Sequence, residues 1–460
     1  MKQLLPHQIE DSVFLSATPG VKGNFSGMGS GKTVTALEGV RLIRAQTVAG
    51  AKGAAPDFLQ DMPAIIVGPP ISLHMWAEEF EEHIEGSVVQ IVRTGKEKLK
   101  PADAYVMSYD IATKRKEELK ALRFQILICD ESHALKNIKA KRTKAILGRH
   151  GLCETAIWTW CLTGTPSVRW NDDLFSFICR ADNAALTEKI GKVDMARFQL
   201  RYCITQKKTF SKFQKFPTVV TVGNRNTHEL NEMIFDGGMA VRRELRDVFE
   251  NMPPLTINRL QVSLDADADL KKSLRSLEKQ TMADIQQDMA NNEEHLATIR
   301  RKLGVAKVKH SVSEIVDRVE AGIKPILVSA VHHDVIDALH EGLFAKGVTQ
   351  LGVIDGRTKG DVRQSYVEGF NKGTLDVVIG QVNAMGVSLN MQGGSHIVVV
   401  EEDWSPAVQA QLYARCHRLG QKDHVHVDIF ESDTKLDKAV RRISAAKSRG
   451  HNTLMEQSSE

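Results

Sequence analysis

A glycine-rich segment near the start of the chain has the composition of a phosphate-binding loop. It reads SGMGSGKT over residues 26–33 and is followed by a helical pattern, VTALEGVRLIRA. Glycines let a backbone curl until its amides face a phosphate, and the following helix adds the positive end of its dipole. Lys32 would lie against the β and γ phosphates, and the Thr33 hydroxyl would hold magnesium. The residues expected to bind the nucleotide here are Gly29, Ser30, Gly31, Lys32 and Thr33.

Two adjacent carboxylates follow an apolar run about a hundred residues further on. The sequence FQILICDESH, residues 124–133, is typical of a buried strand that ends in Asp130 and Glu131. Ligands of α/β proteins bind at the carboxyl ends of such strands. Asp130 would hold magnesium, directly or through water, and Glu131 would polarise the attacking water as general base. Alone, the pair could be a solvated strand end, but its place downstream of a phosphate loop indicates catalysis.

Short apolar runs that alternate with helical patterns predict the scaffold for these residues. The runs are AIIV at 64–67, ILIC at 126–129, ILV at 326–328, VVI at 377–379 and IVVV at 397–400. Continuous β-branched runs suit strands buried on both faces of a parallel sheet. The alternation predicts an α/β fold with right-handed crossovers.

One long stretch breaks this pattern and suggests the domain organisation. Residues 265–303 are polar, rich in helix formers and free of proline and glycine, which predicts one or two helices. Pro253-Pro254 just before them is the best candidate hinge. We therefore expect a first lobe with the ATP site, a hinge with a helical insertion near the start of the second lobe, and the rest of that lobe. The predicted boundaries are 1–250, 251–310 and 311–460.

Composition narrows the class of protein. The 460 residues are 42% hydrophobic and 26% charged, as in globular proteins of two or three domains. No run of about 18 apolar residues predicts a membrane span, and acidic residues come too early for a secretory signal. Six cysteines without CxxC pairs argue against structural zinc and a disulfide framework. We expect a cytoplasmic protein, at a nucleoid or in a host cytoplasm, or a nuclear one if the source is eukaryotic.

The formal net charge of +4 is distributed unevenly. Residues 93–149 hold 15 Lys/Arg against 7 Asp/Glu, and residues 195–225 hold seven basic residues and no acidic one. The seven are Arg197, Arg201, Lys207, Lys208, Lys212, Lys215 and Arg225, and the interleaved aromatics are Phe198, Tyr202, Phe210, Phe213 and Phe216. Such patches are typical of phosphate binding. The alternative is a solvated face with core aromatics.

Taken together, the motifs resemble the Snf-type group of superfamily-two helicases, the motors of chromatin remodellers and related DNA translocases. The phosphate loop fits the AxxGxGKT form of that superfamily, and DESH is followed by ALKN and later by LTGTP at 162–166. LLPHQ at 4–8 resembles the glutamine motif, in which Gln8 would read adenine. In the second half, ILVSAVHH at 326–333 and QAQLYARCHRLGQ at 409–421 resemble motifs IV and VI. ATIRRKLGVAKV and the histidine pair of motif IV favour the annealing-helicase branch.

Motif VI adds a second set of candidate residues. Arg415 and Arg418 lie three apart on a predicted helical stretch, so both guanidiniums would project from one face. From the second lobe they would reach the γ-phosphate held by the first as arginine fingers, which are worth about 10³–10⁵ in rate elsewhere. Gln411 is expected to contribute to the nucleotide site. The alternative, two surface arginines on a basic helix, is disfavoured by the flanking motif residues.

The resemblance implies two RecA-like lobes, use of ATP and magnesium, and movement on double-stranded or forked DNA as a monomer. It leaves no segment for a further recognition module. One alternative is a helicase that separates DNA or RNA strands, which the absence of a DEAD tetrapeptide and the HRLGQ ending argue against. The other is a scaffold that binds DNA under ATP control without turnover, which the intact Lys32 and Glu131 argue against.

Overall fold

A computed structural model describes residues 4–50, 63–167, 170–209, 216–249, 252–290, 294–382, 384–385 and 389–455. The chain divides into two compact units. The first comprises Met1–Val248 with Arg449–Glu460, and the second comprises Phe249–Ser448. In the described part of the chain, no helix is both long and apolar enough to cross a membrane.

The first unit is built on a seven-stranded sheet in the order β3-β4-β2-β5-β6-β1-β9, with parallel neighbours. Its strands are β1 (Gly20–Asn24), β2 (Ala64–Gly68), β3 (Val89–Val92), β4 (Ala104–Ser108), β5 (Ile126–Asp130), β6 (Trp158–Leu162) and β9 (Ala240–Val241). Two further strands, β7 (Cys203–Lys208) and β8 (Thr218–Asn224), form an antiparallel ribbon of their own.

Helices cover both faces of this sheet. They are α1 (Pro6–Ala17), α2 (Lys32–Gly50), α3 (Leu73–His83), α4 (Tyr109–Lys114), α5 (Lys116–Ala121), α6 (Lys141–Ile146), α7 (Phe175–Ala181), α8 (Asn183–Ile190), α9 (Met195–Tyr202), α10 (Thr227–Phe235) and α11 (Leu245–Val248). Short 3-10 turns lie at Pro70–Ser72, Ser132–Leu135, Leu152–Glu154 and Asn171–Leu174.

The apolar run of β5 shows why such segments become central strands. Side chains alternate between the two faces of a strand, so Leu127 and Cys129 enter one hydrophobic core while Ile126 and Ile128 enter the other. All four are buried. A continuous apolar run is therefore required here, and it ends where Asp130 reaches the carboxyl edge of the sheet.

The second unit is built on a six-stranded sheet in the order β10-β15-β14-β11-β13-β12, again with parallel neighbours. Its strands are β10 (Leu255–Gln261), β11 (Ile326–Ala330), β12 (Leu351–Ile354), β13 (Val377–Gln381), β14 (His396–Val399) and β15 (Val425–Glu431). Its helices are α12 (Ala268–Glu278), α13 (Met282–Ala290), α14 (Glu294–Glu320), α15 (His333–Ala345), α16 (Gly360–Lys372), α17 (Pro406–Tyr413) and α18 (Lys435–Met455).

The predicted α/β class with two parallel-sheet lobes and a helical insertion is confirmed. The insertion consists of α12, α13 and the first turns of α14, which share a small core that includes Leu277, Ile285 and Leu436. The second lobe begins earlier than we predicted, because β10 pairs with β15 from Leu255 to Gln261. Residues 255–261 are thus an edge strand of the second sheet and not part of the insertion.

Candidate nucleotide-binding site

The glycine-rich loop connects the end of β1 to the first turn of α2. Gly29 and Gly31 have φ values of 81° and 86°, a left-handed conformation that glycine adopts without steric cost. Thr33 lies in the first turn of α2, where the backbone amides of a helix are unpaired and the dipole is positive. The loop therefore has the backbone form that a phosphate cradle requires.

Lys32 is held by the loop itself. Its Nζ donates to the carbonyl oxygens of Ser26 and Gly27 at 2.9 and 3.0 Å. Burial lowers the pKa of Lys32, while the negative charges of Glu131 and Asp130 oppose that shift. Lys32 thus lies within the electrostatic reach of both carboxylates.

Ser26, which stands where the strict loop pattern has glycine, has a structural role. Its Oγ accepts a hydrogen bond from the Arg243 amide at 3.1 Å, and the Gly27 amide donates to the Arg243 carbonyl at 2.8 Å. The Arg243 guanidinium in turn contacts Asp11 and Glu10 of α1 at 3.1 and 2.9 Å. Arg243 was not among the residues predicted from the sequence, because its contacts with Ser26 and Asp11 join segments more than 200 residues apart.

Gln8 lies directly against the loop. Its Oε1 accepts from the Leu5 amide at 2.9 Å, and its Nε2 lies 3.4 Å from the Ser30 carbonyl. A Cβ on Gly31 would overlap the Gln8 side-chain amide, so a larger residue there would displace Gln8, and the φ of 86° favours glycine at this position. His7 contacts the same Ser30 carbonyl through Nε2 at 3.0 Å. The structure therefore brings the predicted adenine-reading residue to the phosphate loop.

Asp130 is positioned by groups around the end of β5. The Trp76 indole Nε1 donates to its Oδ2 at 2.9 Å, and the Glu131 amide donates to its Oδ1 at 3.0 Å. Tyr109 donates its hydroxyl to the Asp130 carbonyl at 2.7 Å. Burial, followed by the neighbouring Glu131 charge, raises the pKa of Asp130 to about 6, although the Trp76 hydrogen bond and Lys32 act in the opposite direction.

Glu131 follows in a left-handed conformation with φ 49°, which is uncommon outside glycine and clusters at functional sites. Its Oε2 lies 3.1 Å from His133 Nδ1 and accepts from the Thr163 hydroxyl at 3.4 Å. The Thr163 Oγ1 also contacts His133 Nδ1 at 3.1 Å and accepts from the Thr165 amide at 3.1 Å. The acidic pair and the LTGTP turn therefore form one hydrogen-bonded cluster.

The residues fit a magnesium nucleotide by the chemistry of their donors. Magnesium in phosphate sites uses one or two carboxylates, a hydroxyl and phosphate oxygens, and keeps several waters. Thr33 and Asp130 would offer the hydroxyl and the carboxylate to such a nucleotide, and Lys32 would offer positive charge to its phosphates. Among the described residues no group of three or more His, Cys, Asp or Glu could hold a metal without such a nucleotide.

Motif VI differs from our prediction. α17 ends at Tyr413, so Arg415 and Arg418 lie in the turns after the helix and do not share a helical face. Arg415 is buried, and its guanidinium donates to the Leu389 carbonyl at 3.2 Å. Arg418 is partly exposed, and desolvation lowers its pKa. Gln411 is buried in the last turn of α17.

The basic segment at 195–225 gives a mixed result. Phe198 and Tyr202 are core residues, and Arg201 forms a bidentate ion pair with Glu229, as the alternative of a solvated face with core aromatics predicted. Lys207 and Lys208 lie on β7. Four further members of the set lie outside the described residues: Phe210, Lys212, Phe213 and Lys215.

Comparison with protein families gives two matches. Residues 25–303 match the family model of the SNF2-related domain, and residues 307–420 match that of the helicase conserved C-terminal domain. Together the two matches span the phosphate loop, the acidic pair, and both motif VI arginines.

The chain is also similar to known proteins and to a solved structure. The chain is 25% identical over 428 residues to the SWI/SNF-related matrix-associated actin-dependent regulator of chromatin subfamily A-like protein 1 of Xenopus tropicalis, covering 92% of this chain and 42% of that protein. It is 26% identical over 449 residues to the human DNA annealing helicase and endonuclease ZRANB3, covering 95% and 39%. The structure of S. cerevisiae Dbp5 bound to RNA and ADP BeF3 matches with a TM-score of 0.52 at 12% identity, covering 97% and 88%, which shows a shared fold. The chain thus spans about two fifths of the length of these two relatives.

Proposed function

Because this chain belongs to the SNF2-related family, we propose that it is a DNA-dependent ATPase motor that moves along double-stranded or forked DNA. The observation that carries the proposal is the cluster in the first unit: a glycine loop with Lys32, next to a carboxylate pair that is hydrogen-bonded to the LTGTP turn. A phosphoryl-transfer site needs positioned positive charge, a metal ligand and a group that orients water. All three are supplied by residues of this cluster.

Each residue of the cluster has one task in this proposal. The loop amides and Lys32 bind the phosphates, and Gln8 contacts the base. Thr33 and Asp130 hold magnesium, which neutralises phosphate charge when it is bound. Glu131 accepts a proton from the attacking water, and Thr163 fixes the orientation of its carboxylate. Since Thr163 belongs to the turn after β6, a change at the γ-phosphate is transmitted from Glu131 to that turn.

Motif VI supplies the remaining groups. We assign to Arg418 the role of stabilising the γ-phosphate charge during hydrolysis, because its guanidinium is partly accessible and has no ion-pair partner in the described part of the chain. We assign to Arg415 a structural role, in which its hydrogen bond to the Leu389 carbonyl stabilises the backbone there. Gln411 completes the nucleotide contacts from α17.

The partner proposed is duplex DNA, bound mainly through phosphates so that the motor does not stop at particular bases. We propose that the protein acts as a monomer where cellular DNA lies, in a nucleoid, a host cytoplasm or a nucleus. The human relative's name, a DNA annealing helicase and endonuclease, supports a substrate with duplex and single-stranded parts.

The test is ATPase activity measured without nucleic acid and with blunt duplex, forked duplex, single-stranded DNA and RNA at equal phosphate concentration. We expect the largest stimulation with duplex or forked DNA and little with RNA, whose A-form geometry differs. The motor should also displace the third strand of a triplex in an ATP-dependent way and unwind a blunt duplex poorly. Efficient unwinding of tailed duplexes with equal stimulation by single strands would favour a strand-separating helicase. DNA binding without any turnover would favour the ATP-controlled scaffold.

A further inference from the structure

The ribbon formed by β7 and β8 has a firmly anchored base. Asn171, which is fully buried, donates through Nδ2 to the carbonyls of Tyr202 and Arg225 at 2.9 and 3.2 Å. The Asn224 side chain accepts from the Asn171 amide at 2.9 Å. Thr221 of β8 donates its hydroxyl to Asp172 at 2.5 Å. These bonds fix where both strands leave the body of the first unit.

The outer half of the ribbon carries exposed apolar side chains next to lysines. Val219 is 48% exposed, and Phe216, just before β8, is 80% exposed. Lys207 is paired in register with Val219, and Lys208 with Thr218. In the described part of the chain neither lysine has an acidic partner. The ribbon therefore presents apolar and cationic groups side by side without a neutralising carboxylate.

We propose that this ribbon binds DNA at a junction between duplex and single strand, with phosphates on Lys207 and Lys208 and an unpaired base against Phe216. The inference rests on the proposed function and names which part of the DNA is bound. Lysines match the phosphate charge, whereas an exposed aromatic ring has no partner in an intact duplex, whose bases are stacked on each other. Unpaired bases do stack on aromatic side chains, whatever their sequence. Residues 195–225 hold no acidic residue that would repel the strand.

The proposal separates the contributions of the two kinds of side chain. Phe216→Ala should weaken binding to a forked DNA about 5- to 150-fold, the range that loss of one base–aromatic stack gives, and leave binding to a blunt duplex of the same sequence unchanged. Phe216→Trp should retain fork binding because it keeps an aromatic face. The double variant Lys207→Ala/Lys208→Ala should weaken binding to both DNAs and reduce the slope of log K against log salt by roughly 0.9 per lost contact on duplex.

The experiment is fluorescence anisotropy of the full chain with labelled fork and blunt duplex between low and moderate salt. Lys271→Ala/Lys272→Ala, an exposed pair on α12, removes the same charge elsewhere and should leave the salt slope unchanged. Because Phe216 and both ribbon lysines contribute little to the core, thermal melting should be the same in all variants.

Two outcomes would overturn the inference: an equal loss for Phe216→Ala on fork and blunt duplex, or unchanged binding in every ribbon variant. The second would leave the ribbon as a docking face for a protein or as a solvated surface. Neither affects the proposed function, which fails separately if the wild-type chain shows no ATPase stimulation by any DNA.

Discussion

The Arg415 guanidinium lies in the interior of the second unit and donates a hydrogen bond to the Leu389 carbonyl at 3.2 Å. A second hydrogen bond joins Arg415 to the same segment, because the Met391 amide donates to the Arg415 carbonyl at 3.0 Å. Arg418, three residues further on, is partly exposed. Two arginines that look equivalent in the motif therefore differ in surroundings, and their substitutions should have different effects.

Arg415→Ala should lower the free energy of unfolding by about 2 kcal/mol, the cost of leaving a buried carbonyl without its donor. Arg418→Ala should leave stability unchanged and lower kcat about a thousand-fold with little change in ATP affinity, as expected for a charge used only in the transition state. Denaturant unfolding and steady-state kinetics with duplex DNA measure the two effects. An unchanged kcat in Arg418→Ala would remove it from the catalytic site.

Lys32→Ala should abolish ATP turnover while the fold persists. Among the described residues, the Lys32 Nζ donates hydrogen bonds only to carbonyls of its own loop, so the melting temperature without nucleotide should change little. Lys346→Ala, an exposed lysine of the second unit, is the matched control and should retain full turnover. Turnover at the wild-type rate in folded Lys32→Ala would show that Lys32 does not act on phosphate.

Glu131→Gln should retain ATP binding and lose hydrolysis by a factor of about 10²–10⁴, the contribution of a general base. Thr163→Val, which removes the hydroxyl bonded to that carboxylate, should lower kcat about five- to tenfold, the value of one hydrogen bond, without changing KM for ATP. Phosphate release and nucleotide binding are measured on the same preparations. Equal loss of binding and turnover in Glu131→Gln would contradict its role as base.

The pKa of Asp130, raised from an ordinary value of 3.8 to about 6 chiefly by burial, predicts a pH dependence of stability. The folded chain binds this proton more tightly than the unfolded chain, so the stabilisation is full below pH 3.8 and is lost as the pH rises through about 6. Asp130→Asn, which stays neutral, should therefore be more stable than wild type above pH 6, by up to about 3 kcal/mol. The difference should vanish towards pH 4.

Unfolding without magnesium or nucleotide at pH 4.5, 6 and 8 tests this expectation. Asp423→Asn changes an exposed carboxylate and should show no such trend. A stability difference between Asp130→Asn and wild type that does not vary with pH would mean that Asp130 titrates at its ordinary value.

The central strands were the part of the fold most open to prediction. A strand buried on both faces must be apolar along its length, and few other structures of four or five residues require this. The strand Ile126–Asp130 could therefore be predicted from the amino-acid sequence. The phosphate loop was equally accessible, since its glycines satisfy a local backbone requirement at Gly29 and Gly31. The edge strand β10 was missed because its side chains are largely exposed and the strand with which it pairs, β15, lies some 170 residues away in sequence.

By itself the sequence determined the α/β class, the two lobes, the family, and the positions of the glycine-rich loop and of the strand that ends in the acidic pair, because each depends on short-range patterns that the backbone imposes. Only the tertiary structure decided which of these side chains meet. It brought the Gln8 side chain against Gly31. It also formed hydrogen bonds between Ser26 and Arg243, which are 217 positions apart, and between Thr163 and Glu131. It also ended α17 before Arg415, so that one motif arginine supports a loop and the other remains accessible. Such contacts depend on packing between segments that are distant in sequence. The free energy of that packing cannot be read from a local sequence pattern.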